Sequence, residues 1–133
     1  MSDSDKYFAN DPASQSSAQG TWVNWSQLEP LAMMGLQFQP VVGERLMVNF
    51  VRFPPHTEAP LHWHDEEQIA FVLEGALEFT VAGETRTLRR GDAVVIPPNV
   101  PHAADVLEDS EVLDAFAPVR DDWIRGDDAY LRR

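Results

Sequence analysis

The chain has 133 residues, 44% of them hydrophobic and 24% charged, which suffices for one domain with a hydrophobic core and is too short for two ordinary ones. Its formal net charge of −12 opposes polyanionic partners, so neither a nucleic acid nor an anionic membrane surface is an expected ligand. With no cysteine there is no disulfide framework, no thiolate nucleophile and no zinc-thiolate centre, and chemistry must rest on His, Asp, Glu, Gln, Arg and Tyr.

Residues 1–20 are Ser, Asp, Asn, Gln and Ala without periodic apolar positions, and they read as a disordered N-terminal tail. They lack the basic start and apolar stretch of an export signal. No apolar run approaches the ~20 residues that a membrane helix needs, so the cytoplasm is the expected location. From residue 21 to about 119, short branched or aromatic runs follow one another: TWVNW, LMVNFVRF, QIAFVL, ALEFTV, TRTL, AVVI, HAADVL and EVLDAF. Prolines, glycines and Asn99 break them at Pro54-Pro55, Glu74-Gly75, Ala82-Gly83, Arg90-Gly91 and Pro97-Pro98-Asn99. Short strands at this spacing predict an all-β sandwich or barrel over residues 21–119. The remaining segment, 120–133, has room for a short helix around DDWIRGDDAYL.

Within the barrel, ALEFTVAGETRTL predicts a hairpin in which Leu77, Phe79 and Val81 face inward and Gly83 supplies the positive-φ turn. QIAFVL and AVVI are apolar at consecutive positions, which predicts strands covered on both faces. The text LHWHDEEQ is of another kind. On a strand His62 and His64 share a face and Trp63 takes the other. A turn just beyond them would bring Gln68 back to the same centre, and His102 follows the turn IPPNVP. Three imidazoles and one oxygen donor form a normal ligand set for a single divalent Zn, Ni, Fe, Mn or Co.

The spacings His62-x-His64-x3-Gln68-x6-Gly75 and Gly91-x5-Pro97-x-Asn99-x2-His102, separated by fifteen residues, are similar to the two motifs of the cupin superfamily. That resemblance implies a single-domain cupin, a double-stranded β-helix or jelly-roll β-barrel, with His62, His64, Gln68 and His102 as metal ligands. Within cupins, EEQIAFVLEGALEFTV, GDAVVIPPNVPHAA and LDAFAPVRDDW resemble the small pectin-degradation proteins that open the ring of unsaturated uronates. This likeness implies catalytic Asp114 and Arg120, with Phe116 and Arg120 against the substrate. It also implies a homodimer. The chain departs from the family at His56 and Asn99, where glycines are usual, and at Val106, where an asparagine often stands.

Gln68 bears on the chemistry. Four neutral donors leave a dication its full charge, which favours polarising an oxygen over stabilising a higher oxidation state. Glu67 points to the opposite strand face, and only a bulge would bring it in. The expected function is therefore a metal-dependent, non-oxidative isomerase or lyase acting on a small hydroxylated, anionic molecule, with unsaturated uronate as the named candidate. A cupin dioxygenase or polyketide-tailoring cyclase is the alternative enzyme, and a non-catalytic sugar- or metabolite-binding cupin is the alternative of another class. For Asp114 and Arg120 the plain structural reading is a salt bridge at the barrel rim; for Asp65, Glu66 and Glu67 it is solvation, with orientation of the metal ligands from behind as the alternative.

Overall fold

In the computed structural model, which describes residues 19–33 and 36–125, strand after strand alternates buried and outward side chains, as a pleated backbone requires. Ten strands are formed: β1 (Leu31–Met33), β2 (Leu36–Val42), β3 (Met47–Phe53), β4 (Glu58–His62), β5 (Glu67–Glu74), β6 (Ala76–Val81), β7 (Glu84–Arg89), β8 (Ala93–Ile96), β9 (His102–Val106) and β10 (Ser110–Ala117). A single helical turn, α1 (Asp121–Ile124), follows. The strands make two antiparallel sheets, ordered β1-β2-β3-β10-β5-β8 and β4-β9-β6-β7. This is the all-β jelly roll expected from the sequence. Among the described residues no helix is long and apolar enough to cross a membrane.

Register explains where the core ends and a polar interior begins. Across β3, β10 and β5 one inner row is Val51, Val112 and Val72, all buried hydrocarbon. The next inner row is Asn49, Asp114 and Ala70, and the next is Met47, Phe116 and Gln68. Asn49, Asp114 and Gln68 are buried with them. The inside of the barrel thus changes from apolar to polar within two residues along β3 and β10 and within four along β5.

Some expectations require correction. TWVNW forms no strand: Trp25–Gln27 is a 3-10 turn whose entry is capped by Asn24, its Oδ1 accepting from the Ser26 N–H at 3.1 Å. Strands β1 and β2, instead, arise from text that carries Pro40 and so does not read as strand. Beyond Phe38, β2 pairs with β3 alone, so the missing N–H of Pro40 falls on an open edge. Nor are QIAFVL and AVVI covered on both faces. Ile69, Phe71 and Val95 are 41%, 38% and 56% exposed, because β8 ends its sheet and no described layer lies over that side. The predicted N-terminal tail to residue 18 and the end of the predicted C-terminal helix, from residue 126, lie outside the described residues.

The turns follow their residues. Ala82 and Gly83 have φ of 51° and 82°, the two positive values that a two-residue hairpin loop wants, and the ALEFTV hairpin buries Leu77 and Phe79 as expected. His56 and Asn99, which replace family glycines, keep the left-handed backbone with φ of 70° and 63°. The His56 N–H donates to the Val106 carbonyl at 2.8 Å, and the Asn99 N–H to the His64 carbonyl at 2.8 Å. The second bond docks the loop before His102 directly onto His64.

Gly75 is the tightest crossing. Its φ is 96°, and a β-carbon there would overlap Ser110 Oγ and the Asp109 carbonyl oxygen. Gly75→Ala should therefore lose about 3 kcal/mol or more of unfolding free energy in urea titration, since backbone on both sides must move. A loss below about 1 kcal/mol would show that this crossing is looser than described.

Candidate metal centre and cavity

β4 ends on His62 and β9 begins on His102, and the two are direct cross-strand partners. Their ring centroids are 4.2 Å apart. His64 lies past the end of β4 but remains buried, with its ring 4.9 Å from that of His102. Ligating nitrogens of all three histidines fall within 4.8 Å of one another. Gln68 enters from β5 on the inner face, while Glu67 is turned outward, as strand parity requires. The four sequence-predicted ligand positions thus come together.

Their protonation is set by the main chain. Nδ1 of His62 lies 2.6 Å from the Pro60 carbonyl oxygen, Nδ1 of His64 3.0 Å from that of Glu66, and Nδ1 of His102 2.8 Å from that of Val100. A carbonyl can only accept, so each Nδ1 donates and each ring, when neutral, carries its lone pair on Nε2. Burial, assisted by the Arg120 charge and by His102, lowers the His64 pKa to about 3, and burial also lowers that of His102. Both rings are neutral near pH 7.

A cation fits what remains. Nε2 of His102 is buried without a hydrogen-bond partner. Nε2 of His64 faces Gln68 Oε1 at 3.1 Å, which sets two acceptors against each other. Gln68 Nε2 donates to Asp114 Oδ1 at 2.9 Å, and this bond turns the carboxamide oxygen toward the histidines. The lone pairs of His64, His102 and the Gln68 oxygen converge, an arrangement that a positive ion between them would relieve. His62, His64, His102 and the Gln68 oxygen are the atoms that could hold one.

Asp114 and Arg120 stand beside this cluster. Burial raises the Asp114 carboxyl to about 6, against the opposing pull of the Gln68 hydrogen bond and the Arg120 charge. Arg120 is 1% exposed and forks onto Asp122, Nη2 to Oδ2 at 2.7 Å and Nε to Oδ1 at 3.0 Å. Its Nε also lies 3.3 Å from Glu66 Oε1. The rings of Phe116 and Trp123 each have their centroid 5.0 Å from the guanidinium carbon. Burial would raise Asp122, but the hydrogen bonds and charge of Arg120 override it and hold the carboxyl low.

Glu66 corrects the reading of the acidic cluster as solvated. Asp65 and Glu67 are exposed, but Glu66 reaches inward between Arg120 and Nδ1 of His64, 3.6 Å from the latter. Phe116 presses edge-on against His64, centroids 5.7 Å apart, and so backs a candidate ligand. Asp122 and Asn49 escaped sequence reasoning. The DD pair directly after Arg120 was the available signal for Asp122. For Asn49, a buried amide opposite Asp114 whose nitrogen and oxygen have no hydrogen-bond partner, the polar residue inside LMVNFVRF was the signal. Of the tryptophans, Trp22 is 96% exposed and Trp25 packs against Phe50 at 4.8 Å, so neither lies between the sheets.

A cavity of about 80 Å³ opens on this cluster. Its polar end is formed by His62, Gln68, His102, Asp114 and Arg120, and its other walls include Phe38, Phe53, Leu77, Phe79, Val112 and Trp123.

Comparison with known proteins agrees with this geometry. The family profile described as Cupin domain matches residues 49–116, which span the three histidines, Gln68, Asp114 and Phe116. The H2HPP isomerase of Bacillus subtilis is 39% identical over 79 residues, 58% of this chain, and this chain spans about a third (33%) of that protein's length. The pectin degradation protein KdgF of Dickeya dadantii (strain 3937) is 38% identical over 84 residues, covering 62% of this chain and 76% of that protein. The structure of KdgF from Halomonas sp. superposes with a TM-score of 0.71 at 34% identity, covering 78% of this chain and 98% of that one.

Titration of metal-free protein with Ni(II) or Zn(II) checks the ligand set. His62→Ala, His64→Ala and His102→Ala are each expected to weaken binding by about 100-fold or more with the circular dichroism of the barrel retained, and Gln68→Leu by about 10-fold. Wild-type affinity in the His102→Ala protein would remove that residue from the set.

Proposed function

Because this chain belongs to the cupin family, and its three histidines converge as that family's metal sites require, we propose that it is a metal-dependent, non-oxidative isomerase or lyase. Its substrate is a small hydroxylated molecule with a carboxylate. The observation that carries this reading is the neutral donor set, three imidazoles tied through Nδ1 to carbonyls and a carboxamide aimed by Asp114. A divalent Zn, Ni, Fe, Mn or Co bound by His62, His64, Gln68 and His102 would supply Lewis acidity that no ligand charge diminishes.

The chain's own residues do the rest. Asp114 lines the cavity and commits Oδ1 to Gln68, which leaves its other oxygen for a substrate. A carboxyl raised to about 6 can both take and return a proton near neutrality. It would carry that proton between a substrate hydroxyl and the neighbouring carbon, as ring opening, enol-keto tautomerisation or dehydration needs. Arg120, locked by Asp122 and Glu66, brings fixed positive charge to the same wall and anchors the substrate carboxylate. Phe116 contributes indirectly, by holding His64 in place.

Unsaturated uronate is the candidate substrate, supported by the two relatives named for pectin degradation or as KdgF. The name of the third relative favours isomerisation over oxidation. The exposed Ile69, Phe71 and Val95 support a homodimer, because a second copy would cover an apolar face that the chain leaves open. Light scattering after size-exclusion chromatography should give twice the chain mass at micromolar concentration; the mass of one chain would reject the dimer.

Turnover is the decisive measurement. With Ni(II) or Zn(II) bound, the protein should convert unsaturated galacturonate to its ring-opened product by NMR, and removal of the metal with a chelator should stop it. Asp114→Asn should lower turnover by about 100-fold or more while leaving metal affinity within about threefold, since an asparagine oxygen can still accept from Gln68. Persistent turnover in this variant would take the proton-carrying role away from Asp114, and oxygen uptake with Fe(II) would favour the dioxygenase instead.

A further inference from the structure

The polar groups of the cavity are gathered at one end. His62 and His102 stand ring to ring at 4.2 Å, Gln68 reaches His64 at 3.1 Å and Asp114 at 2.9 Å, and Glu66 links Arg120 to His64 at 3.3 and 3.6 Å. The one further hydroxyl on the wall, that of Thr57, donates to the Pro54 carbonyl oxygen at 2.8 Å. The rest is chiefly apolar, with the Trp123 indole among it. Phe38 meets Phe53 edge-on at 6.5 Å and Trp123 at 5.1 Å, and Leu77, Phe79 and Val112 complete the enclosure.

Such a wall discriminates. A hydroxyl pressed against it gives up its water and finds no partner, which lowers affinity by on the order of tenfold for each group. A ring or branched chain gains from the same contact. The ligand that fits has its oxygens on adjacent carbons at one end, where the candidate ion, Asp114 and Arg120 can serve them, and carbon at the other.

Resting on the reading of the polar end as a metal centre, we propose that the site takes an α-keto or α-hydroxy acid with an apolar, preferably aromatic, arm, in preference to a polyhydroxylated sugar acid. The head group lies on the histidine and Gln68 end, and the arm lies among Phe38, Phe53, Phe79 and Trp123. Unsaturated uronate stays the candidate for turnover at the polar end; the comparison in affinity is with a saturated sugar acid, whose full set of hydroxyls would meet the apolar wall.

Calorimetric titration of the Ni(II)-loaded protein with phenyllactate, lactate and galacturonate tests it. Phenyllactate is expected to bind about tenfold or more tightly than lactate, which has the same head without the arm, and than galacturonate. Replacing the half-buried Phe53 by Ser should weaken phenyllactate about tenfold and leave lactate unchanged. The proposal is overturned if phenyllactate binds no better than lactate, if galacturonate binds more tightly, or if Phe53→Ser weakens both acids alike. Failure of the metal-centre reading would be seen separately, as absent Ni(II) binding before any acid is added.

Discussion

Three hydrogen bonds from imidazole Nδ1 to main-chain carbonyls govern this molecule. Each fixes a tautomer and a ring direction at once, and together they aim three Nε2 lone pairs at one point. The accepting carbonyls belong to Pro60, within β4, and to Glu66 and Val100, in the connections before β5 and β9. Pro60 itself, and Pro97, Pro98 and Pro101 around Val100, have a fixed φ that stiffens the chain where the carbonyl must point. Left-handed Asn99 then donates its N–H to the His64 carbonyl, so the loop before His102 and the segment carrying His64 are positioned by one bond. The barrel supplies the register, and the turns supply the aim.

Glutamine at position 68 is explained by its neighbour. A carboxylate there would meet the buried Asp114 carboxyl at hydrogen-bond distance, and two like charges so placed cannot both ionise. The carboxamide resolves this conflict by donating to Asp114 and presenting oxygen to the histidines. Burial raises the Asp114 carboxyl to about 6, and the Gln68 N–H favours its ionised form, where a carboxylate at position 68 would oppose it. Arg120 is the other fixed point. Its buried charge is held by Asp122 and Glu66 and sandwiched by Phe116 and Trp123, which ties the helical turn after β10 to the segment between the motif histidines and Gln68.

Strand parity and spacing made much of this legible. His62, His64 and Gln68 could be assigned to one side and Glu67 to the other because the side-chain period of a strand is two. The second motif placed His102 after a proline turn whose geometry is local. What escaped depended on contacts between distant segments. Glu66 reads as one of three solvated acids until Arg120 is brought to it from more than fifty residues away. The apolar runs QIAFVL and AVVI predict burial on both faces, yet composition alone does not say which element, or which copy of the chain, covers the second face. Strand β2 was hidden by Pro40, which is acceptable only because of where β1 stops.

The inner rows of β3, β10 and β5 show how one barrel serves two purposes. The row of Val51, Val112 and Val72 is ordinary core, and each of its side chains contributes on the order of 1.5–3 kcal/mol by burial. One row further, Asn49 and Asp114 replace hydrocarbon beside the small, fully buried Ala70. Both amide atoms of Asn49 are without hydrogen-bond partners, a condition that disfavours folding by about 1–3 kcal/mol relative to a well-packed apolar residue. Packing alone would place another valine or leucine at these positions. A row that stability would not select, lying beside the histidine cluster, marks the boundary at which the interior ceases to be core and becomes a site.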